Sequence, residues 1–128
     1  MAKVRKVVLL GNGGGEMAAL QGVLAHHTVF TRVRDIPQAL SILAAGDYDA
    51  LFCGWVLHSD TWREALKEVH KRHPDLPVIV VYHAAEEKDW VDVLNAGAFD
   101  LLAPPYDEAM VLAVLEDAIL SREAQVVA

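Results

Sequence analysis

The feature that most constrains the fold is the segment from Tyr48 to Trp55, an apolar run with a glycine near its end. It follows residues 45–47, which favour a turn, and it predicts a strand that is buried on both faces of a parallel sheet. In open sheets of this type ligands bind outside the carboxyl ends of the strands, so we expect any site of this protein near Gly54 and Trp55. Position 54 carries no acidic, nucleophilic or metal-binding side chain.

The rest of the chain alternates between strand and helix patterns. Apolar runs predict strands at residues 4–10, 28–33, 48–55, 76–82 and 99–103, and helical patterns fill the intervals and the C-terminal segment. The connections are short, which favours right-handed crossovers between parallel strands. With 128 residues the chain is expected to form a single domain, residues 1–128. We predict an α/β fold: a flavodoxin-like (βα)5 doubly wound parallel sheet of strand order 2-1-3-4-5, in three layers.

Helix start signals and apolar faces support this assignment. Asp35 is expected to cap the second helix, with Gln38 completing a capping box, whereas Ser59 or Asp60 caps the third helix and Asp107 the last. The expected buried faces are Met17, Leu20 and Leu24 in the first helix; Trp62, Leu66, Val69 and His73 in the third; Trp90, Val91 and Leu94 in the fourth; and Val111, Val114, Leu115 and Ala118 in the fifth.

Composition and charge limit the classes of function. The net charge of −7 repels phosphate backbones, and no Lys/Arg cluster forms a stripe that could overcome this repulsion, so nucleic acid is not expected as a direct partner. Because no apolar run reaches the length of a membrane span and the N-terminus lacks a signal region, we expect a cytoplasmic protein without membrane contact. The one cysteine, Cys53, lies in the buried run and is expected to act as a small apolar side chain.

Two patterns admit a chemical interpretation beside a structural one. Residues 11–15 are rich in glycine and could bind phosphate through backbone N–H groups, but Glu16 and the lack of a Walker lysine favour a loosely packed loop. His58 and His83 are expected beside the crevice, with Asp60 close to His58, but no activated nucleophile accompanies them. The other histidines favour surface or helix-end positions over a metal centre: His26, His27, His70 and His73. We therefore expect no catalysis, metal or cofactor.

Four segments of the sequence resemble the receiver domain of bacterial two-component response regulators. They are the first strand before Gly11, the run that ends at Gly54, the segment 77–81, and residues 97–106, Gly-Ala-Phe-Asp-Leu-Leu-Ala-Pro-Pro-Tyr. The last segment is the most specific, because it is similar to the Gly-Ala-x-Asp-x-Leu-x-Lys-Pro-Phe pattern of receivers. Pro104 replaces the lysine of that pattern. Pro105 matches the proline of the family, so the resemblance predicts a cis peptide bond before Pro105.

The resemblance also implies a phosphorylation site that has lost its functional groups. In receivers, an acid pair binds Mg²⁺, an aspartate accepts the phosphoryl group, a Ser/Thr contacts it and a lysine pairs with it. The positions in register with these groups are Gly11 and Asn12, then Gly54, then Tyr82, then Pro104. None of these side chains supplies the carboxylates or the cation that the reaction needs. Trp55, Tyr82 and the two prolines are expected to converge on the pocket and partly fill it.

These observations predict a phosphorylation-independent pseudo-receiver, a regulatory module rather than an enzyme. It would act by contact with protein partners, with an effector domain not present in this chain, or with a second copy, either alone or as the receiver part of a longer transcriptional or signalling regulator. The resemblance places the contact face at Trp90, Leu101 and Tyr106, although Trp90 and Leu101 could instead be core residues. The alternative function is a small-ligand or nucleotide sensor that uses the glycine-rich loop and the crevice edged by Trp55, His58, Tyr82 and His83.

Overall fold

Five strands and five helices alternate along the chain in a computed structural model that describes residues 4–11, 15–57 and 60–127. The strands are β1 (Arg5–Leu10), β2 (Thr28–Val33), β3 (Ala50–Gly54), β4 (Val78–Val81) and β5 (Asp100–Leu102). The helices are α1 (Gly15–Leu24), α2 (Ile36–Ala45), α3 (Trp62–Arg72), α4 (Glu87–Asn95) and α5 (Glu108–Val127). All strand pairs are parallel, and the order is β2-β1-β3-β4-β5. The predicted doubly wound fold is confirmed.

The sheet separates two apolar cores because alternate residues of each strand point to opposite faces. In β1, Val8 and Leu10 join the core beneath α2, α3 and α4, whereas Val7 and Leu9 join the core beneath α1 and α5. Strand β3 is buried along its whole length, as its continuous apolar sequence predicts. Within the described residues no helix is both long and apolar enough to cross a membrane.

The predicted inner faces are confirmed for most helices and wrong for α4. The expected apolar residues of α1, and Trp62, Leu66 and Val69 of α3, are buried, and α5 buries its expected stripe with Val114 partly covered. His73, which we expected on the same face of α3, follows the last residue of that helix and is only partly buried. In α4, however, Val93 is the buried residue, whereas Val91 and Leu94 are 53% and 49% exposed. Trp90 is partly buried against the same core as Val93. Trp90 and Val93 therefore pack toward the sheet, whereas Val91 and Leu94, which we expected beside Trp90, do not.

Side-chain caps define most of the helix starts. The Asp35 carboxylate accepts a hydrogen bond from Gln38 N–H at 2.9 Å, but the Gln38 amide oxygen accepts from Arg34 N–H instead of from Asp35. At α4, Glu86 and Asp89 form a reciprocal capping box. At α5, Asp107 accepts from Ala109 N–H at 2.8 Å. These interactions satisfy backbone donors that a helix start leaves without partners.

The predicted cap of α3 is wrong, since Thr61 occupies that position. Leu57 N–H donates to the Asp60 carbonyl at 2.8 Å, and Val56 and Thr61 form an antiparallel bridge. The chain after β3 thus turns back on itself before the helix begins, which moves the helix start past the residues that we expected to cap it. Ser59, the other candidate, lies outside the described residues.

Candidate functional site

The carboxyl ends of the central strands bring the expected site positions together. Leu10 pairs with Cys53, so Gly11 and Gly54 follow neighbouring residues of β1 and β3. Gly54 pairs with Val81, which places Tyr82 beside the same edge. Backbone bonds extend this register, because Gly11 N–H donates to the Val33 carbonyl at 3.1 Å. The structure therefore brings together three of the five positions that the sequence assigned to one site. Of the other two, Asn12 lies outside the described residues and Pro104 follows β5.

The side chain of Met17, from the first turns of α1, packs against both glycines. A Cβ atom added at Gly11 would lie 2.9 Å from Met17 Cγ and 3.1 Å from its Cε. A Cβ atom at Gly54 would lie 3.6 Å from the same Cε. Met17 is only 5% exposed, and its side chain occupies the space of a Cβ atom at position 11 and lies in ordinary van der Waals contact with one at position 54. The sequence indicated Met17 only as a core residue, and its position over the strand ends depends on how α1 packs.

Aromatic rings pack side by side beyond β3 and β4. The rings of Trp55 and Tyr82 stack with centroids 4.2 Å apart and an interplanar angle of 11°. Trp62 lies 5.5 Å from Trp55 on one side, and His83 meets Tyr82 edge-on at 5.4 Å on the other. The Arg63 guanidinium lies 4.6 Å above the Trp62 ring, a cation–π contact. This aromatic row, Trp62-Trp55-Tyr82-His83, covers part of the edge with side chains that cannot ligate Mg²⁺ as carboxylates do.

The two prolines at the end of β5 take a smaller part than we expected. The Pro104–Pro105 peptide bond is cis, in agreement with the prediction from the resemblance. Both prolines are exposed, however, and so they do not form a buried filling of the crevice. Met17, Trp55 and Tyr82 are among the described side chains that pack at this edge of the sheet.

The thiol of Cys53 has a pKa that clearly departs from its ordinary value. Its side chain is fully buried, and burial raises the pKa of the thiol from 9.0 to about 12. The Sγ atom donates a weak hydrogen bond to the Gly54 carbonyl at 3.4 Å. The thiol is therefore protonated and inaccessible at neutral pH, as expected for a small apolar side chain.

Comparison with known proteins decides the family. Residues 17–116 match the family described as "Response regulator receiver domain", which is more than half of the chain. The chain belongs to the response regulator receiver family. Receivers are regulatory modules of two-component signalling and interact with other proteins and effector domains.

Individual relatives support the same assignment. Over 88 residues, 69% of this chain, the receiver is 31% identical to the DNA-binding transcriptional regulator NtrC of Salmonella typhimurium. It spans only 19% of the length of NtrC. The fold is similar to a signal receiver domain of an HD domain-containing protein from Pseudomonas fluorescens, with a TM-score of 0.82 at 20% identity, covering 98% of this chain and 93% of that one. NtrX from Brucella abortus gives a TM-score of 0.83 at 18% identity, covering 96% of this chain and 28% of that one.

The histidines singled out in the sequence have separate surroundings in the receiver. His83 is exposed and contacts the Tyr82 ring, whereas His58 lies outside the described residues. His70 Nε2 lies 3.1 Å from the Leu76 carbonyl, and His27 Nε2 pairs with the Glu108 carboxylate. Among the residues that the structure describes, no group of three or more His, Cys, Asp or Glu side chains is placed to hold a metal ion.

The expected contact face of the receiver needs one correction. Leu101 is 1% exposed and belongs to the core beneath α2, α3 and α4, so its side chain cannot meet a partner at the surface. The short strand β5 points Leu101 into the sheet's packed face, which is the core interpretation that the sequence also allowed. Trp90 and Tyr106 are partly exposed. Val91 and Leu94, which we expected inside, are instead the large exposed apolar residues of α4.

Proposed function

We propose that this receiver works without phosphorylation, as a signalling module that contacts another protein or an effector domain. The observation that carries the proposal is the packing of Met17 against Gly11 and Gly54. In the register given by the resemblance, these positions would hold an Mg²⁺-binding acid and the phosphoacceptor aspartate. A glycine has no nucleophile, and a thioether in the remaining space provides neither the hard oxygen ligands that Mg²⁺ prefers nor a charge.

The aromatic row supports the proposal from the other side of the edge. A phosphoryl group carries negative charge on several oxygens, and its transfer needs cations or hydrogen-bond donors near that charge. Tyr82 stacks face to face on Trp55 instead of leaving a small hydroxyl side chain at the end of β4. Pro104 stands where the resemblance places a lysine, and it has neither a charge nor an N–H group. The stack also uses ring faces on which a planar ligand would bind, which weakens the ligand-sensor alternative.

The surface available for a partner includes exposed and partly exposed side chains of α4 and α5. Val91 and Leu94 on α4 and Met110 on α5 are exposed, and Trp90 and Tyr106 are partly exposed. Apolar side chains of this kind supply contact area in protein interfaces. We place the interaction of this module with a partner, an effector domain or a second copy on this surface, inside the cytoplasm.

The test is treatment of the purified chain with acetyl phosphate and Mg²⁺, followed by intact mass spectrometry and a thermal melt. We expect no phosphoryl adduct and no shift in Tm, because position 54 has no nucleophile and the described residues hold no group of side chains placed to bind the metal. A receiver with an aspartate at the corresponding position, treated in parallel, shows that the reagent is active. A stoichiometric adduct on the present chain would refute the proposal.

A further inference from the structure

Helix α3 carries a row of basic side chains that the proposed function does not use. Arg63, Lys67 and Lys71 are spaced four residues apart, and this spacing places them along one side of the helix. The row extends over about 12 Å, given the rise of an α-helix. All three residues are exposed, and His70 lies beside the last of them. The chain as a whole has 11 Lys and Arg against 18 Asp and Glu, so this row contrasts with an acidic protein.

The row forms one wall of a groove between α3 and the end of α4. The cavity there has a volume of about 460 Å³ and is lined by Arg63, Leu66, Lys67, His70, Lys71 and Ala96. Ala96, which follows the last residue of α4, is the lining residue that does not belong to α3. Leu66 is 3% exposed, so it offers almost no apolar surface to a ligand. The groove is therefore mainly a cationic surface.

The charges at the two ends of the row have ion-pair partners, and within the described residues the middle one has none. Arg63 Nη2 lies 3.7 Å from Asp92 Oδ2, and Lys71 Nζ lies 3.1 Å from Glu68 Oε1. For Lys67, no ion pair or hydrogen bond occurs within the part of the chain that the structure describes. The three cations and these two carboxylates leave one net positive charge. Because exposed ion pairs are weak, a further carboxylate can compete for Arg63 and Lys71.

Helix capping alone does not explain the row. Basic residues in the last turn of a helix stabilise its negative end, which accounts for His70 and Lys71. Arg63 lies in the first turn, where the helix dipole disfavours a cation, and Lys67 lies in the middle. The carbonyls at the end of α4 have their own donors, since Ala96, Gly97 and Ala98 N–H groups bond back to Asp92, Leu94 and Val93. They do not need the α3 cations as partners.

We infer that the groove between α3 and α4 binds a short acidic segment of a partner protein, with its carboxylates along Arg63, Lys67 and Lys71. The charge of the row is complementary to such a segment. A long polyanion or an anionic membrane is a poorer match, because the rest of this acidic chain repels it. The same repulsion disfavours a second copy, which also carries a net charge of −7. The inference does not depend on whether the chain accepts a phosphoryl group.

The test uses two synthetic peptides of one length in an Ala/Gln host: the first has Glu at every fourth position, and the second has Gln in place of each Glu. Each is titrated into the ¹⁵N-labelled chain. We expect the Glu peptide to shift amide signals of α3 and of the end of α4, and the Gln peptide to bind at least about tenfold more weakly because it lacks the charges. Signal changes confined to other elements, or equal binding of the two peptides, would overturn the inference.

A charge-matched pair of variants makes the test specific. Lys67→Glu and Lys88→Glu change the net charge equally, but Lys88 lies in the first turn of α4, outside the groove. We expect Lys67→Glu to weaken binding of the Glu peptide by about tenfold or more and Lys88→Glu to change it less than about twofold. Equal losses of affinity in the two variants would show that binding depends only on the net charge of the chain, and this would contradict the inference. Lys67→Ala provides a second measure of the affinity that depends on Lys67. Because Lys67 is exposed, its truncation leaves the core intact, and a melting curve for each variant checks that the chain is folded.

Two further measurements distinguish other occupants. In the first, duplex DNA and phosphatidylserine vesicles are titrated with the same variants. If one of them binds more tightly than the peptide and the binding depends on Lys67, the groove belongs to that ligand and the inference is overturned. Sedimentation of the unmodified chain is compared with that of Lys67→Glu. Self-association that the substitution abolishes would assign the groove to a second copy and overturn the inference. A phosphoryl adduct in the mass experiment would leave all of these results unchanged.

Discussion

At the scale of single residues, Met17 is the side chain from α1 that packs against the strand ends of this receiver. Its side chain would clash with a methyl group at Gly11 and would contact one at Gly54, so the packing of one helix reaches the ends of two strands. The glycines could be predicted to meet because buried parallel strands end at one edge. The position of the methionine could not, because its three flexible torsions allow several directions and tertiary packing selects one of them.

The substitution Gly11→Ala tests this packing. The added methyl group would lie 2.9 Å from Met17 Cγ, an atom too close to the backbone to move without a change of rotamer. We expect the free energy of unfolding to fall by about 1–3 kcal/mol, as in overpacked cores. In a Met17→Ala background the same substitution should cost much less, because the clash is gone.

The measurement is urea unfolding of the wild type, the two single variants and the double variant, which together form a double-mutant cycle. Met17→Ala alone should cost about 2–5 kcal/mol, as a large-to-small change in a core. Additive costs, with no coupling between the two positions, would show that Met17 does not occupy the space beside Gly11.

The second prediction at this scale concerns Cys53 and pH. Burial raises the pKa of its thiol to about 12 in the folded chain, above the value of 9.0 that applies when it is exposed. The folded state therefore retains a proton that the unfolded state loses, and stability falls as pH rises from about 9 to about 12. The slope from this group approaches about 1.4 kcal/mol per pH unit.

The measurement is the free energy of unfolding of the wild type and of Cys53→Ala at several alkaline pH values. The alanine variant is less stable overall because it leaves a small cavity, but it lacks the slope that the thiol contributes. Other groups titrate equally in both proteins, so the difference between the two curves isolates Cys53. Parallel curves across this pH range would contradict the prediction.

At the scale of elements, α4 shows which features local sequence determines. Its start, where Glu86 N–H donates to the Asp89 carboxylate, and its end at residues 95–97 both depend on neighbouring backbone groups. Its buried face was predicted wrongly, because Val91, Val93 and Leu94 are similar in hydrophobicity and only packing against the sheet selects Val93. The consequence is an exposed apolar pair on a helix that we expected to bury it.

Gly97 offers the test at this scale. It has a φ of +106°, and the bonds from Gly97 N–H to the Leu94 carbonyl and from Ala98 N–H to the Val93 carbonyl form a Schellman motif. We expect Gly97→Ala to lower the free energy of unfolding by about 1–2 kcal/mol, because a side chain disfavours this backbone conformation. The measurement is urea unfolding.

Gly22 is the matched control for that substitution. It lies within α1, is exposed, and has no atom within 4 Å of an added Cβ. Gly22→Ala should raise the free energy of unfolding by about 0.5–1 kcal/mol, since glycine is a poor helix former. If both substitutions stabilised the chain, the positive φ of Gly97 would not be a constraint.

At the scale of the whole molecule, the strand order followed from the sequence because β3 and β4 are apolar on both faces and helical segments separate the strands. The predicted strand ends were less accurate: residues 76–82 were expected where β4 covers Val78–Val81. Pro77 cannot donate a backbone hydrogen bond, although its carbonyl accepts one from Leu51 at 3.0 Å. The contacts that complete the site, Met17 on the glycines and Tyr82 on Trp55, join distant segments and depend on the folded arrangement.

The thioether over Gly11 and Gly54 bears on how long a signal lasts. An acyl phosphate hydrolyses, so a switch that carries one returns to rest after a time set by its own chemistry. A site that forms no acyl phosphate has no such intrinsic lifetime. Under the proposed function, the response would persist for as long as the module and its partner coexist, and control over it would pass to the rates at which the cell makes and degrades them.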